Sequence, residues 1–169
     1  MKNAVLTLCL AAVVPTGTAF AETVSKTVDS PILTIWEIKE PNVSQRQTDY
    51  GNIVFRQGDT VVVAAGGCVQ TGGRGLTWKR YVDPSGANSD RLYHGLIRLP
   101  GQGGMIRIGE FMNNLKQYTV PESGDMILHL GYEDDDYTDN SYEKHDDGTE
   151  DQCKNVGNAF VTITIVHPK

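Results

Sequence analysis

The sequence has no G-x-S-x-G elbow, no H-E-x-x-H pair and no P-loop, the common local marks of a serine hydrolase, a zinc protease and a nucleotide hydrolase. It also lacks C-x-x-C and H-x-x-x-H spacings, so Cys and His94, His129, His145 and His167 do not spell a zinc module. Helical pattern is scarce: only Glu110 to Gln117, "EFMNNLKQ", is expected to hold a helical turn. No internal repeat or low-complexity linker is present, and no apolar run is long enough to span a bilayer. Positive charge is short as well, with 15 Lys and Arg against 21 Asp and Glu. A polyphosphate would be repelled by that balance, which argues against nucleic acid as a partner.

The N-terminus, "MKNAVLTLCLAAVVPTGTAFAETV", has one Lys, an apolar run from Ala4 to Val14 and an A-x-A pattern at Ala19 and Ala21. It reads as a secretory signal peptide, residues 1–21, cleaved after Ala21, with a periplasmic or extracellular destination. Removing 21 of the 169 residues leaves 148, enough for a single domain over residues 22–169. Losing Lys2 leaves 14 basic residues against 21 acidic ones, a net charge of about −7. Cys9 leaves with the signal, so of the three cysteines Cys68 and Cys153 remain. In an oxidising compartment two cysteines are expected to form one disulfide.

Strand signals fill the rest. Short β-branched segments are expected at Ile32 to Lys39, Asn52 to Arg56, Thr60 to Ala65, Leu76 to Tyr81, Tyr93 to Leu99, Met105 to Ile108, Tyr118 to Val120, Asp125 to Gly131 and Ala159 to Val166. In the last, Ala159, Val161, Ile163 and Ile165 should face a core while Thr162 and Thr164 face outward. Turn signals such as "RQGD", "TGGRG", "DPSG" and "PGQGG" separate them. The expected fold is all-β, an antiparallel jelly-roll β-sandwich.

One segment stands out. From Tyr132 to Asp151, ten of twenty residues are Asp or Glu, directly after the alternating strand "DMILHL". Either water or a cation must offset that repulsion. The loop mixes its carboxylates with Thr138, Asn140 and, further on, Asn155, the oxygen types a hard ion collects in six to eight positions. It is not an EF-hand. Counting from Asp134, Asp139 stands where that loop needs Gly, and His145 where it needs Glu. A Ca2+ site built from this loop and a second one is expected. If Cys68 pairs with Cys153, "GCVQTGG" is the second loop, and carbonyls near Gln70 and Thr71 would complete the shell.

The runs "GDTVVVAAGGCVQTGG", "GLI", "GYEDDDYT" and "NVGNAFVTITI" resemble the bacterial calcium-dependent galactose-binding lectins of the PA-IL type, which have a galactose-binding-domain-like jelly roll. The resemblance implies that Asp134, Thr138, Asn155 and a carbonyl of Gln70 or Thr71 hold calcium, with sugar hydroxyls completing its shell. Lys154 departs from that pattern where the family has Asn, and Asp139 or Asn140 would replace the lost amide. The family's sugar-contacting His and Gln fall near Arg91 and His94, so Arg91, His94, Asp134 and Asp135 are the expected ligand-binding residues. The segment Thr77 to Gly101 offers Trp78, Tyr81, Tyr93 and His94 for stacking on a sugar. The plainer alternative is that Trp78 and Tyr93 pack the core while Arg80 and Arg91 balance the acidic loop.

The sequence therefore reads as a secreted carbohydrate-binding, lectin-like, non-enzymatic domain whose partner is a glycan or other small polar ligand, with homo-oligomerisation left open. Two alternatives stand beside it: a secreted β-sandwich with purely structural calcium acting as a protein-interaction module, and a small secreted hydrolase.

Overall fold

A computed structural model of the chain describes residues 22–72, 77–143 and 152–169. The expected signal segment, and part of the acidic loop including His145, lie outside the described residues. Among the described residues the fold is an antiparallel β-sandwich with one short helix, as the sequence implies. The first sheet orders its strands β1 (Thr23–Asp29), β2 (Leu33–Lys39), β12 (Phe160–Val166), β4 (Thr60–Gly66) and β9 (Tyr118–Thr119). The second runs β3 (Thr48–Val54), β10 (Ile127–Glu133), β7 (His94–Arg98) and β8 (Ile106–Arg107). A third, smaller sheet joins β11 (Asn140–Ser141), β5 (Cys68–Thr71) and β6 (Trp78–Arg80).

The two large sheets meet through their inward residues. Ile38, Val61, Val63, Val161, Ile163 and Ile165 of the first are buried in one cluster with Tyr50, Ile53, Ile97, Leu128, Leu130 and Tyr132 of the second. Each such aliphatic side chain contributes on the order of 1.5–3 kcal/mol by leaving water. In β12 the alternation is the expected one: Val161, Ile163 and Ile165 are buried, and Thr162 and Thr164 are less so. Of the two readings of Trp78, core packing is the one observed: Trp78 is fully buried, as is Tyr81, offered for stacking on a sugar, and Tyr81 stacks on Tyr132 with ring centroids 6.0 Å apart. Their apolar area is worth more inside than on a polar rim.

Three strands carried no clear sequence signal. β1 is polar along most of its length, and β5 and β11 are short pieces that pair with each other across about seventy residues. β3 begins at Thr48 rather than Asn52, because Thr48, Asp49 and Tyr50 pair with Leu130, His129 and Leu128. The helix, α1 (Ile108–Asn114), starts directly after β8 rather than at Glu110, because Ile108 and Phe111 go into the core.

Cys68 and Cys153 form a disulfide. Gly67, with φ +83°, makes the approach feasible: a Cβ there would lie 2.2 Å from the Asn158 carbonyl oxygen. Cys68 then exchanges backbone hydrogen bonds with the chain before β12, its N–H donating to Gly157 O at 3.0 Å and its C=O accepting from Ala159 N at 2.9 Å.

Candidate metal and ligand site at the acidic strand end

β10 ends at Glu133, and the chain leaves the sheet in a series of side-chain-supported turns. Asp134 Oδ1 accepts from the N–H groups of Asp135 at 2.7 Å and Asp136 at 3.4 Å. Asp136 Oδ1 accepts from Thr138 N at 3.0 Å and from Thr138 Oγ1 at 2.6 Å, which holds the Asp136 carboxyl below its ordinary pKa. Short polar side chains that bond the backbone two residues on favour turns over strand continuation. The chain then re-enters a sheet as β11, where Asn140 pairs with Thr71 and Ser141 with Gln70. The acidic loop is thus laid against the loop carrying Gln70 and Thr71.

Two contacts fix that juxtaposition. Ser141 Oγ donates to Gln70 Oε1 at 2.8 Å. Asp139 lies over Gly72, where φ is +70° and an added Cβ would stand 1.9 Å from the Asp139 Cγ. Only glycine leaves room for the carboxyl at that position. Thr71 is buried and uses its N–H and hydroxyl on Thr77 O, at 2.8 and 3.1 Å.

The electrostatics of Asp134 set it apart. Partial burial raises its pKa, with the neighbouring Asp135 charge adding to the rise and hydrogen bonds from Asp135, Asp136 and Asn140 opposing it. Its Oδ2 is buried without a hydrogen-bond partner, and so is Asn140 Oδ1. The Asn140 amide eases the Asp134 charge but spends its Nδ2 on Val43 O at 3.0 Å. These two acceptor oxygens, shielded from water and with no hydrogen-bond partner among the described residues, are the kind of group that a cation can satisfy. Among the described residues no three His, Cys, Asp or Glu side chains form a metal-binding group. A hard cation here would therefore draw on Asp134 and Asp139 together with amide and main-chain oxygens, the mixed donor set that calcium accepts.

The other expected residues fall around this centre at different distances from it. Asp135 and Thr138 are exposed. Asn155 is exposed in a left-handed turn, φ 60°, two residues after Cys153. Arg91 is exposed, and its N–H closes a turn on Asn88 O at 3.1 Å. His94 faces Glu133 across the β7–β10 ladder, but its Nε2 lies 2.8 Å from Ser89 O. With Arg107 and Glu110 it lines a pocket of about 210 Å³ that includes no residue of the acidic loop.

Tyr93, offered by the sequence for stacking together with His94, feels the charges of the acidic loop. Its N–H donates to Glu133 O at 2.6 Å, its φ is 72°, and its hydroxyl pKa is raised by burial first and then by the charges of Asp134, Asp135 and Asp139. A non-glycine residue held in the left-handed region is strained, which fits a position set by the site rather than by local preference. "LYHGL" gives no sign of that backbone geometry. On the Asn140 side a pocket of about 200 Å³ opens, bounded by Glu22, Glu40, Val43, Ser44 and Tyr142.

No protein-family model matches the chain, and no curated protein matches it in sequence. Among solved structures it is similar to the N-terminal domain of EclA, described as a PllA-like lectin, at 15% identity over 79% of this chain and 95% of that one, with a TM-score of 0.43. The likeness to a lectin domain is distant. It carries no argument about ligand, metal or mechanism.

Proposed function

We propose that the protein is a secreted calcium-dependent carbohydrate-binding domain whose site is the strand end built from Asp134, Asp139 and Asn140 against the Gln70–Thr71–Gly72 loop. The observation that carries this reading is the pair of buried acceptor oxygens, Asp134 Oδ2 and Asn140 Oδ1, which have no hydrogen-bond partner among the described residues. Asp134, Asp139 and Asn140 hold the cation, with main-chain oxygens of Thr138 and of the Gln70–Thr71 segment as further donors. Bound calcium supplies open coordination positions that vicinal sugar hydroxyls can occupy. Asp135 and Tyr93 border the same rim, where a carboxylate accepts from sugar hydroxyls and a phenol both stacks and bonds. The pocket of about 200 Å³ beside Asn140 offers space on the scale of one monosaccharide.

The test is calcium titration followed by glycan binding with and without chelator. Calcium at about a hundred times its Kd is expected to stabilise the fold by about 2.7 kcal/mol, seen as a higher melting temperature. Asp134→Ala is expected to abolish both that rise and glycan binding. Identical melting with calcium and with chelator would refute the metal, and sugar affinity indifferent to chelation would make any calcium structural.

A further inference from the structure

At the opposite end of the first sheet three side chains from remote parts of the chain form an unbroken hydrogen-bonded line. Thr34 Oγ1 lies 2.9 Å from His167 Nε2, and His167 Nδ1 lies 2.8 Å from Asp59 Oδ1. Asp59 is fully buried, and its other oxygen accepts from Arg56 N at 2.7 Å, so the carboxylate is fixed in place. A carboxylate at Nδ1 selects the tautomer that carries its proton there, which leaves Nε2 as an acceptor for the Thr34 hydroxyl. Hydroxyl, imidazole and buried carboxylate in this order and at these distances are the arrangement that activates an oxygen nucleophile, on whatever fold it occurs.

The line does not end in packed core. Thr34 and His167 both line a pocket of about 300 Å³, together with Trp36, Val54 and Ile165, which offer an apolar wall, and Asn52 and Arg56, which offer polar groups. The Arg56 side chain is exposed, so a cation stands at the mouth of the pocket where negative charge would develop on an attacked carbonyl. Residues 34, 59 and 167 share no local motif, so this site has no signature along the chain.

We propose that this pocket is an esterase site, with Thr34 as nucleophile and His167 as general base, acting on esters of a small acyl group and a polar alcohol. Thr34 Oγ1 adds to the ester carbonyl carbon as its proton passes to His167 Nε2. The alkoxide leaves with that proton as the ester C–O bond breaks, giving acyl-Thr34 and free alcohol. Water then adds to the acyl carbon, passing its proton to His167, and the carboxylic acid departs as Thr34 regains a proton. The net reaction is ester plus water to acid plus alcohol. Asp59 is a positioning residue. The site is independent of the acidic strand end, so chelation leaves it unchanged.

The experiment uses the folded protein, p-nitrophenyl acetate and a fluorophosphonate probe, with labelled residues located by peptide mass. The expected result is turnover above buffer and a phosphonyl adduct on Thr34, formed with loss of fluoride. Thr34→Val, with its melting temperature checked, is expected to lower turnover about 100-fold or more and to lose the adduct. Thr34→Ser is expected to keep both. Absence of turnover, absence of the adduct from Thr34 in the unmodified protein, or full turnover in a folded Thr34→Val variant would each overturn the proposal.

Discussion

Asp59 and Asp134 sit at opposite poles of the sandwich and treat the same charge in opposite ways. The seven residues of β4, Thr60–Gly66, run from one pole towards the other, a span of about 23 Å at roughly 3.3 Å per residue. Asp59 is fully buried, yet both of its oxygens are engaged, by Arg56 N and by His167. Asp134 is only partly buried, yet one of its oxygens has no hydrogen-bond partner among the described residues. Degree of burial is therefore a poor guide to which carboxylate is available to a ligand. Satisfaction is the better one: a carboxylate whose oxygens are all bonded within the protein holds the fold together, and one left short can take something from outside.

The poles differ in covalent support too, and breaking that support should give the largest effect. Among the described residues no covalent cross-link ties the Asp59 end, which is held by hydrogen bonds and by the packing of Phe55, Val61, Val120 and Ile165, whereas the Asp134 end is tied by Cys68–Cys153, closing a separation of 85 residues. Replacing both cysteines by Ser is expected to cost about 4 kcal/mol in urea denaturation. Unchanged stability would mean that β5 is held by its pairing alone.

The contrast in satisfaction itself is tested by Asp59→Ala. That change leaves the Arg56 N–H and the His167 ring without their acceptor, and a loss of about 3 kcal/mol is expected on chemical denaturation. Asp134→Ala, measured in chelator, is expected to lose much less, because its side chain is only partly buried and its backbone donors belong to Asp135 and Asp136, which are exposed and can turn to water. Equal losses would erase the distinction between the two carboxylates.

The smallest effect sharpens the comparison through pH. The Asp134 carboxyl is raised above 3.8 in the folded protein, mainly by burial. The folded state therefore binds more protons than the unfolded one in the window just above that value, and stability falls as pH rises through it. In chelator the wild type should show this decline more steeply than Asp134→Asn. Matching pH profiles for the two would contradict the raised carboxyl.

Legibility in the sequence followed the same division between local and remote. The strand-ending "GYEDDDYTDN", the pairing of Cys68 with Cys153 and the alternation of β12 are all carried by composition or by spacing along the chain, and each was readable. The limits of the buried set were less so, since Trp78 and Tyr81 look as suited to a binding rim as to a core until Trp78 is seen packed on the disulfide and Tyr81 on Tyr132. Tyr93 is named by the sequence as a stacking residue, but its backbone geometry is not, because a positive φ at a tyrosine has no marker in neighbouring residues. Thr34, Asp59 and His167 were hidden by distance, since each is unremarkable beside its own neighbours and acquires meaning only when β2, β4 and β12 lie side by side.

That adjacency has a consequence in time. β12 lies between β2 and β4, with Val166 opposite both Leu33 and Thr60, so the centre of the first sheet is supplied by its last strand in chain order. Until residues 160–166 are available, β2 and β4 each present a bare edge where a neighbour belongs. Formation of the sheet must also wait on contacts that span most of the described chain, which makes it a slow folder for its size. A ribosome-bound fragment stopping short of Phe160 already holds every strand of the second sheet and the β1–β2 pair, but β2 and β4 stay apart until β12 slides in between them.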